Sequence, residues 1–348
     1  MDSNTKVTKE TKNKIRVDYE GKLSFKERTL KKLKASNTWI TVIVNIFRFI
    51  LMLGVSYVIL YPFLTKIAGS FMTVGDVIDS TVAIIPKNFN LDLYKYIIFE
   101  NNYLDALLNT LLLSLLCAIF QTLISCLIGY GLAKFKFKGN KLLMGIVVLT
   151  MVIPHRMLTQ SLMQHFSQFD FLKVLATDSY SGIIEVITGS PIDLTNTFWP
   201  LIILSIFGLA FKNGLYIYMM RQFFKGVPDE LEESSYVDGA GVFRTFFQII
   251  LPLAVPMMIT IFLFSFSWQW TDNFYTDIFF PAQLDKLYLM PDIGAIEPLA
   301  PFPPQAESAW AIVCQNTAAI MIILPLVIMY LFCQKYLVQG IERSGLVG

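Results

Sequence analysis

Residues 104–133 read LDALLNTLLLSLLCAIFQTLISCLIGYGLA and contain one charged residue, Asp105. An α-helix needs about 20 mostly apolar residues to cross the hydrocarbon core of a bilayer. A continuous apolar run of this length has no polar face with which a surface helix would meet water. The stretch therefore predicts a membrane-spanning helix.

The composition supports the same conclusion. Of the 348 residues, 55% are hydrophobic and 16% are charged, and the mean hydropathy is +0.56. Soluble globular domains carry about 25% charged residues, so this chain has too few for a surface that faces only water. The high apolar content and the four cysteines also exclude a disordered chain and a disulfide scaffold.

Six segments are long and apolar enough, or nearly so, to be spans. They cover about 39–64, 104–133, 141–163, 199–220, 249–268 and 309–332. The third meets Pro154, His155 and Arg156, so we expect it either to kink there and continue or to stop short. The predicted fold is an all-α membrane protein with six transmembrane helices in one membrane domain, residues 39–338.

The distribution of basic residues predicts the orientation. The N-terminal arm, residues 1–38, is polar, holds eleven Lys and Arg, and shows no pattern of a cleaved signal peptide. With this arm inside, twenty basic residues fall on the inner side and six on the outer side. The positive-inside rule then predicts that both termini, including the tail 339–348, are cytoplasmic. The long connections, 65–103, 164–198 and 269–308, are expected outside.

Metal and disulfide chemistry are not indicated. The cysteines at 117, 126, 314 and 333 lie in apolar stretches, and the two histidines, His155 and His165, have no cysteine at ligand spacing. We interpret the thiols as buried small hydrophobic side chains. No metal ligand set and no catalytic constellation is predicted.

One inner connection is too structured to be a simple loop. Residues 226–252 read GVPDELEESSYVDGAGVFRTFFQIILP. The acidic run after Pro228 favours a helix start, and the glycines around residue 240 favour a break. A second helix is expected to follow, with Phe243, Phe246, Phe247 and Ile250 largely on one side. Two short helices of this kind form a compact protrusion whose exposed phenylalanines need a covering partner.

This segment resembles the EAA loop of ATP-binding-cassette importer permeases, in which E-A-A is followed by three residues, G, nine residues and I-x-L-P. Glu233, Gly239 and Ile249 match at every spacing, and serines at 234 and 235 stand in place of the alanines. The resemblance implies a type I ABC importer fold with this loop as a helix-turn-helix that couples to an ATPase. The residues assigned to coupling are Glu232, Glu233, Asp238, Gly239, Ala240, Gly241, Phe243, Phe246, Ile249, Leu251 and Pro252.

The partners follow from the same resemblance. The chain has no G-x-x-x-x-G-K-[ST] phosphate loop, so the energy is expected from a separate subunit. The family pairs two permeases with two cytoplasmic ATPases and an extracytoplasmic solute-binding protein. It implies a second, homologous permease, with ATP and Mg bound by the ATPases and no cofactor bound by this chain.

Flanking residues resemble the oligosaccharide permeases, such as the smaller permease of maltose transporters. These are Arg221 to Phe224, Trp270 with Asp272, Asn109 with Thr110, and the ending from Gln334 to Gly340. An oligosaccharide substrate is therefore implied. The candidate substrate pathway comprises Asn109, Arg156, Lys212, Trp268, Trp270, Asp272, Asn273 and Tyr275, with Gln121 as a further candidate. The alternative for the aromatic residues is that they lie at a membrane interface for amphipathic reasons alone.

Lys212 lies near the middle of a predicted span, where a charge costs at least about 2.5 kcal/mol unless it faces protein or water. One hypothesis is that it attracts an anionic group, such as the carboxylate of a uronic-acid oligosaccharide. The other is a structural pair with a carboxylate or with helix-end carbonyls of the companion permease. Arg156 allows the same two interpretations.

Three alternatives remain at this level. The coupling loop serves importers of amino acids, peptides and phosphate as well as sugars. An ion-coupled secondary transporter would need paired intramembrane acids and internal halves, and a membrane enzyme would need a cluster of reactive side chains; neither pattern is visible. The expected location is the plasma membrane of a bacterium, in contact with lipid and without nucleic acid.

Overall fold

The structure is a computed structural model, and it describes residues 8–10, 16–18, 36–170, 183–280, 289–290, 293 and 304–345. Most of the predicted arm 1–38 and half of the outer connection 269–308 lie outside the described residues. The chain forms two compact units, Met1–Thr65 and Lys66–Gly348.

The described elements are almost entirely helical, which confirms the all-α class. Two short strands in the arm are β1 (Thr8–Glu10) and β2 (Arg16–Asp18). The helices are α1 (Ser36–Gly69), α2 (Val74–Ile78), α3 (Asp92–Phe99), α4 (Tyr103–Lys134), α5 (Asn140–Val152), α6 (Thr159–Ser167), α7 (Ile183–Thr188), α8 (Trp199–Ile206), α9 (Asn213–Lys225), α10 (Glu230–Val237), α11 (Val242–Thr245), α12 (Leu251–Trp270), α13 (Phe274–Phe279) and α14 (Pro304–Gly345). A 3-10 turn, His155–Leu158, precedes α6, and a π-turn, Phe246–Ile250, joins α11 to α12.

In the first unit, β1 and β2 pair antiparallel, with Lys9 opposite Val17. The part of α1 in this unit is apolar, and its side chains from Ile40 to Leu64 are exposed. An exposed helical surface of this length and composition suits a lipid environment, in which the backbone is satisfied within the helix itself.

In the second unit, α4 is the central helix, and it packs against α8, α9 and α12. The close contact of α4 with α9 depends on Gly129, where an added Cβ would lie 2.6 Å from the Cβ of Met220. Small residues at such crossings let two helices approach within the distance that membrane helix packing favours. The other face of α12 packs against α14.

Four described helical segments are long and apolar enough to cross a membrane: Ile40–Gly69, Tyr103–Lys134, Val242–Trp270 and Ala306–Tyr336. A fifth is possible only if the bent pair of Asn140–Val152 and His155–Ser167 counts as one span, and this pair turns by 93°. The turn occurs at Pro154, where the sequence predicts a kink or an end. The count of six spans stays a prediction.

The fourth predicted span, 199–220, is not one helix. It divides into α8 and α9, separated by residues 207–212, which we call the span-4 break. Gly208 has a φ of 71°, its N–H donates to Ser205 O, and the N–H of Leu209 donates to Leu204 O. This is the hydrogen-bond pattern with which a left-handed glycine ends a helix. The prediction of a continuous helix was wrong because hydropathy does not register this termination.

Candidate functional site

The loop 226–252 has the helix-turn-helix form that the sequence predicts. Helix α10 ends at Val237, Gly239 turns the chain with a φ of 81°, and α11 begins at Val242. A φ in this range is strained for residues other than glycine, because their Cβ approaches the carbonyl oxygen. The glycine of the motif is therefore required by the backbone of the turn.

The two short helices are joined by a buried hydrogen bond. Ser235 Oγ and Thr245 Oγ1 lie 2.8 Å apart, and both residues are buried. Ser235 occupies a position where the resembling motif has alanine. The serine hydroxyl thus adds a polar contact across the turn and holds α10 against α11.

The base of the loop is bound to the end of α4 through Lys134. Its Nζ lies 2.6 Å from Val227 O and 2.6 Å from Asp229 Oδ1, and its side chain is 6% exposed while that of Asp229 is 75% exposed. The hydrogen bond and the positive charge of Lys134 lower the pKa of Asp229. An ion pair between such an exposed carboxylate and a nearly buried ammonium is valuable mainly for the ammonium, which would otherwise be buried without an anion.

Glu232 lies next to this ion pair and is buried. Burial raises the pKa of Glu232, and the charge of Lys134 opposes that rise. Among the described side chains, the Tyr130 hydroxyl also favours the charged form of Glu232, although Glu232 Oε1 and the Tyr130 hydroxyl complete no hydrogen bond of good geometry. The interior of the loop base is thus a compact group of polar atoms enclosed by aromatic rings.

The apolar residues of the second short helix divide between two faces, contrary to the prediction that they share one. Phe246 and Ile250 are buried, and the Phe246 ring lies 4.7 Å from that of Tyr130. Phe243 is 80% exposed, and Phe247 is also exposed. Residues four apart keep the same environment, Phe243 with Phe247 and Phe246 with Ile250, so the boundary between the exposed and the buried face runs between these two pairs.

The exposed surface of the loop is apolar at its tip and acidic beside it. Val237 is 87% exposed, and Leu231, Tyr236 and Val242 are exposed as well. The remaining residues assigned to coupling are placed as follows: Glu233, Asp238, Gly239, Gly241 and Pro252 are exposed, and Ala240, Ile249 and Leu251 are half-buried. An apolar patch at a protruding tip is typical of a surface that binds another protein.

A second group of candidate residues gathers around the span-4 break. One cavity of about 320 Å³ is lined by Lys212, Asn213, His155 and Tyr275 among others, and a second of about 430 Å³ is lined by Arg156, Trp268, Asp272, Asn273, Phe211 and His155 among others. His155 and Phe211 line both. Pockets of this size fall in the range that small ligands occupy.

Lys212 directly precedes α9, and its φ is 65°. Its Nζ lies 4.7 Å from the Phe211 ring centroid and 4.9 Å from that of Trp268. Two such contacts contribute about 0.5–1 kcal/mol each at partly exposed sites, whereas a lysine within a span costs at least about 2.5 kcal/mol. The rings therefore offset only part of the cost, and the rest is avoided because Lys212 also reaches the cavity.

Asp272 is the only carboxylate among the described residues that line the two cavities. It follows the end of α12 and accepts a hydrogen bond from Tyr275 N at 3.1 Å. Burial raises the pKa of Asp272 to about 6, although backbone hydrogen bonds oppose the rise. The Tyr275 hydroxyl in turn lies 3.0 Å from His155 Nδ1.

Of the three other predicted residues, Trp270 and Asn109 lie elsewhere, whereas Gln121 lines a small pocket beside Trp268 and Asp272. Trp270 is buried, and its Nε1 donates to Ile322 O at 2.9 Å, so it serves the packing of α12 on α14 and lines neither cavity. Asn109 is half-buried on α4 and lines neither cavity. Gln121 is buried, donates to Ser205 Oγ and accepts from Ser265 Oγ. Whether the six gathered residues contact a substrate stays a prediction.

Sequence reasoning missed Phe211, His155 and Lys134. Phe211 lies beside Lys212, and His155 sits in the Pro-His-Arg triplet at the third segment, so both were adjacent to residues already chosen. Lys134 was used only as an indicator of orientation. Its role as an anchor depends on a contact across 95 residues, which no local pattern reveals.

The chain is similar in fold to a solved structure of a bacterial ABC transporter involved in the import of the acidic polysaccharide alginate. The TM-score is 0.61 at 20% identity, and the match covers 87% of this chain and 98% of that chain. The similarity at this identity concerns the fold.

Curated relatives match along most of the chain. The alpha-glucoside transport system permease protein AglG of Rhizobium meliloti is 30% identical over 266 residues, which are 76% of this chain and 62% of AglG. This chain thus spans less than two thirds of the length of AglG. The polygalacturonan/rhamnogalacturonan transport system permease protein YtcP of Bacillus subtilis is 27% identical over 320 residues, 87% of this chain and 97% of YtcP.

A family description also matches residues 121–343, which include the loop 226–252 and both cavities. That description is of a binding-protein-dependent transport system inner membrane component. Since the match covers well over half of the chain, this protein belongs to the family of binding-protein-dependent transport system inner membrane components.

Proposed function

We propose that this chain is the transmembrane permease subunit of an ATP-driven importer and translocates an oligosaccharide delivered by an extracytoplasmic solute-binding protein. As a membrane component of a binding-protein-dependent system, it is a transport subunit and not an enzyme. The names of AglG, YtcP and the alginate transporter all refer to carbohydrates. They support sugar import over the import of an amino acid, a peptide or phosphate, and they do not favour an ion-coupled secondary transporter.

The observation that carries the proposal is the loop 226–252, in which a rigid turn presents exposed Val237, Phe243 and Phe247. In the proposal this surface lies in a cleft of an ATPase subunit, and ATP and Mg are held by that subunit alone. When two ATPases close, each moves its loop as a rigid body. The π-turn and Pro252 connect the loop directly to α12, so the movement reaches the bilayer in the manner of alternating access.

The full assembly contains a second, homologous permease and two ATPases. The membrane domain crosses the plasma membrane six times in this proposal, with the termini and the loop 226–252 in the cytoplasm. The connection that holds α2 and α3 is then outside. Two exposed residues, which the proposal places on opposite sides of the membrane, test this orientation.

For orientation, Val237→Cys and Ile85→Cys are matched probes, since their native side chains are 87% and 82% exposed. A membrane-impermeant maleimide should label Ile85→Cys in intact cells and Val237→Cys only after permeabilisation. The unsubstituted chain, with Cys117, Cys126 and Cys314 buried and Cys333 half-buried, gives the background. Labelling of Val237→Cys in intact cells would place the loop outside and remove the proposal.

For coupling, Gly239→Val is compared with Gly241→Val. A valine at φ 81° is strained by about 1–2 kcal/mol, while Gly241 has an ordinary φ of −78° with open space around its Cβ position. Gly239→Val should leave the protein in the membrane but abolish ATP-dependent uptake and reduce the amount of ATPase that co-purifies. Gly241→Val should lose much less. Normal uptake in Gly239→Val would contradict coupling through this turn.

A further inference from the structure

We propose that the two cavities at the span-4 break form a subsite for a carboxylate-bearing sugar unit, so that the translocated substrate is an acidic oligosaccharide. The inference rests on the proposed function, because it names the substrate class of that same pathway. It is carried by the charge, the hydrogen-bonding groups and the ring faces that meet at these cavities.

The charge balance is positive. Lys212 lines the first cavity, Arg156 lines the second, and Asp272 is the single described carboxylate against these two cations. Within the described ranges, the ion pairs at 4.0 Å or less involve Lys87, Lys95 and Lys134, and none involves Lys212 or Arg156. Both cations therefore remain available for an anion that enters the cavities.

The backbone adds to this potential. Asn213, Gly214 and Leu215 form the first turn of α9, and all three line the first cavity. The N–H groups of Asn213 and Leu215 donate to Ala210 O and Lys212 O, three residues earlier, and the turn carries the positive end of the helix dipole. This turn and the Lys212 side chain thus favour negative charge at the same place.

The cavities also offer hydrogen-bond partners to the hydroxyl groups of a sugar. Asn213 is 1% exposed, and its Oδ1 has no hydrogen-bond partner among the described residues, whereas its Nδ2 donates to Ser125 Oγ at 3.3 Å. A buried carbonyl oxygen without a donor is costly, and a sugar hydroxyl can supply that donor. In the second cavity, Asn273 and the Asp272 carboxylate can bind further hydroxyls.

Three aromatic rings complete the site. Phe211, Trp268 and Phe274 line the second cavity, and the Phe211 and Trp268 rings lie 5.4 Å apart. Ring faces bind the C–H face of a pyranose, while the flanking polar groups fix its orientation. A neutral sugar would use the rings and hydroxyl partners but would leave two cations without an anion. A uronic-acid unit uses all three kinds of group.

The test measures binding to the purified complex of permeases and ATPases, without the solute-binding protein, whose own selectivity would otherwise dominate. The probes are two acidic trisaccharides, trigalacturonate and trimannuronate, and their carboxyl-free counterparts, galactotriose and mannotriose. The variants are Lys212→Met, Arg156→Gln and the charge-preserving Lys212→Arg. The control is Lys95→Met, which removes an exposed lysine that is paired with Asp92 and lines neither cavity.

The proposal expects the unsubstituted complex to bind an acidic trisaccharide better than its neutral counterpart. Lys212→Met should weaken acidic binding about tenfold and neutral binding less than about twofold, with recovery in Lys212→Arg and no change in Lys95→Met. Equal losses for both probes would assign Lys212 a structural role, and failure of every acidic probe to bind would also overturn the inference.

ATP-dependent uptake of galactotriose or mannotriose alone would refute the acidic substrate while leaving the proposed function intact. Absence of uptake of all four would count against the proposed function itself.

Discussion

Two lysines in this molecule are used in opposite ways. Lys134, at the end of α4, is nearly buried and holds both Val227 O and the Asp229 carboxylate at 2.6 Å. Lys212, at the span-4 break, contacts two aromatic rings and no described carboxylate within 4.0 Å. The first cation is fully used within the protein, and the second retains its capacity to bind an anion.

In the proposed function, the difference suits the two regions to different roles. The base of the loop 226–252 is held by internal contacts, so we expect movement applied to the loop to be transmitted and not absorbed locally. The span-4 break instead interrupts its helix twice, at Gly208 and Lys212, and leaves cavities between the elements. Rigid contacts suit force transmission, and interrupted helices around a cavity are where membrane transporters bind ligands.

The largest effect is expected for Lys134→Met, which tests the role assigned to the first of the two lysines. The substitution removes the anchor of the loop, so uptake of every substrate should fall by about tenfold or more. The protein should remain in the membrane, because the helix contacts of α4 do not depend on this amine. Uptake of a labelled trisaccharide by membrane vesicles containing the whole transporter measures the effect.

Lys136→Met is the matched control, since Lys136 is exposed two residues further along the chain. It should retain nearly normal uptake. If Lys134→Met reduced the uptake of acidic trisaccharides alone, the two lysines would have similar roles and the contrast between the regions would be lost.

A smaller effect is expected from pH at the span-4 break. The pKa of Asp272 is raised to about 6, so its negative charge is lost as the pH falls through that value and it then repels an acidic substrate less. The KM for trigalacturonate should therefore decrease by about twofold to fivefold between about pH 7.5 and about pH 5.5. The KM for galactotriose should change little. Asp272→Asn should reduce the KM at the higher pH and flatten the profile.

Other charged groups near Asp272 are His155, Arg156 and Lys212, and Asp277 helps to raise its pKa. A positive charge on His155 would act in the same direction as the loss of charge on Asp272. His155→Gln therefore separates the two contributions. A pH profile that persists unchanged in Asp272→Asn and disappears in His155→Gln would move the assignment to the histidine.

The smallest effect concerns the turn of the loop. Ser235→Ala leaves Thr245 Oγ1 buried without this hydrogen bond, which costs about 1–3 kcal/mol locally, yet the change in uptake should stay below about twofold, because the aromatic packing and Lys134 still hold the loop. Hydrogen exchange of the amides in α10 and α11 should become faster. Adding Thr245→Val should restore slow exchange, since both polar partners are then removed. Unchanged exchange in Ser235→Ala would show that this contact does not stabilise the turn.

The fold class and the loop were predictable because their signals are local. Gly239 marks the turn by its backbone requirement, and the acidic run before it marks the start of α10. The interruption at Pro154 was likewise visible in the sequence. Only the structure shows that the two helices on either side of it are turned by 93°. The candidate substrate residues Arg156, Lys212 and Trp268 were found one by one from their type and their position in apolar segments.

The failures share another cause. Trp270 and Trp268 are two residues apart and equally aromatic, but only Trp268 faces a cavity, because Trp270 packs against α14. Phe243 and Phe246 were assigned to one side on α-helical spacing, but only Phe246 packs against the Tyr130 ring, and Phe243 remains exposed. Each outcome depended on which residues a neighbouring helix covers.

By itself, the sequence determined that this protein lies in a lipid bilayer, that it is helical, that it has a basic arm, and that the loop 226–252 is a helix-turn-helix. These properties follow from composition and from spacings within about thirty residues, over which hydrophobicity and backbone preference act directly. Only the tertiary structure decided that Lys134 anchors the loop, that α8 and α9 are separate, and that Lys212, Arg156 and Asn213 meet at one pair of cavities. Such decisions depend on burial and charge pairing between distant segments, and their free energies exist only when those segments are in contact.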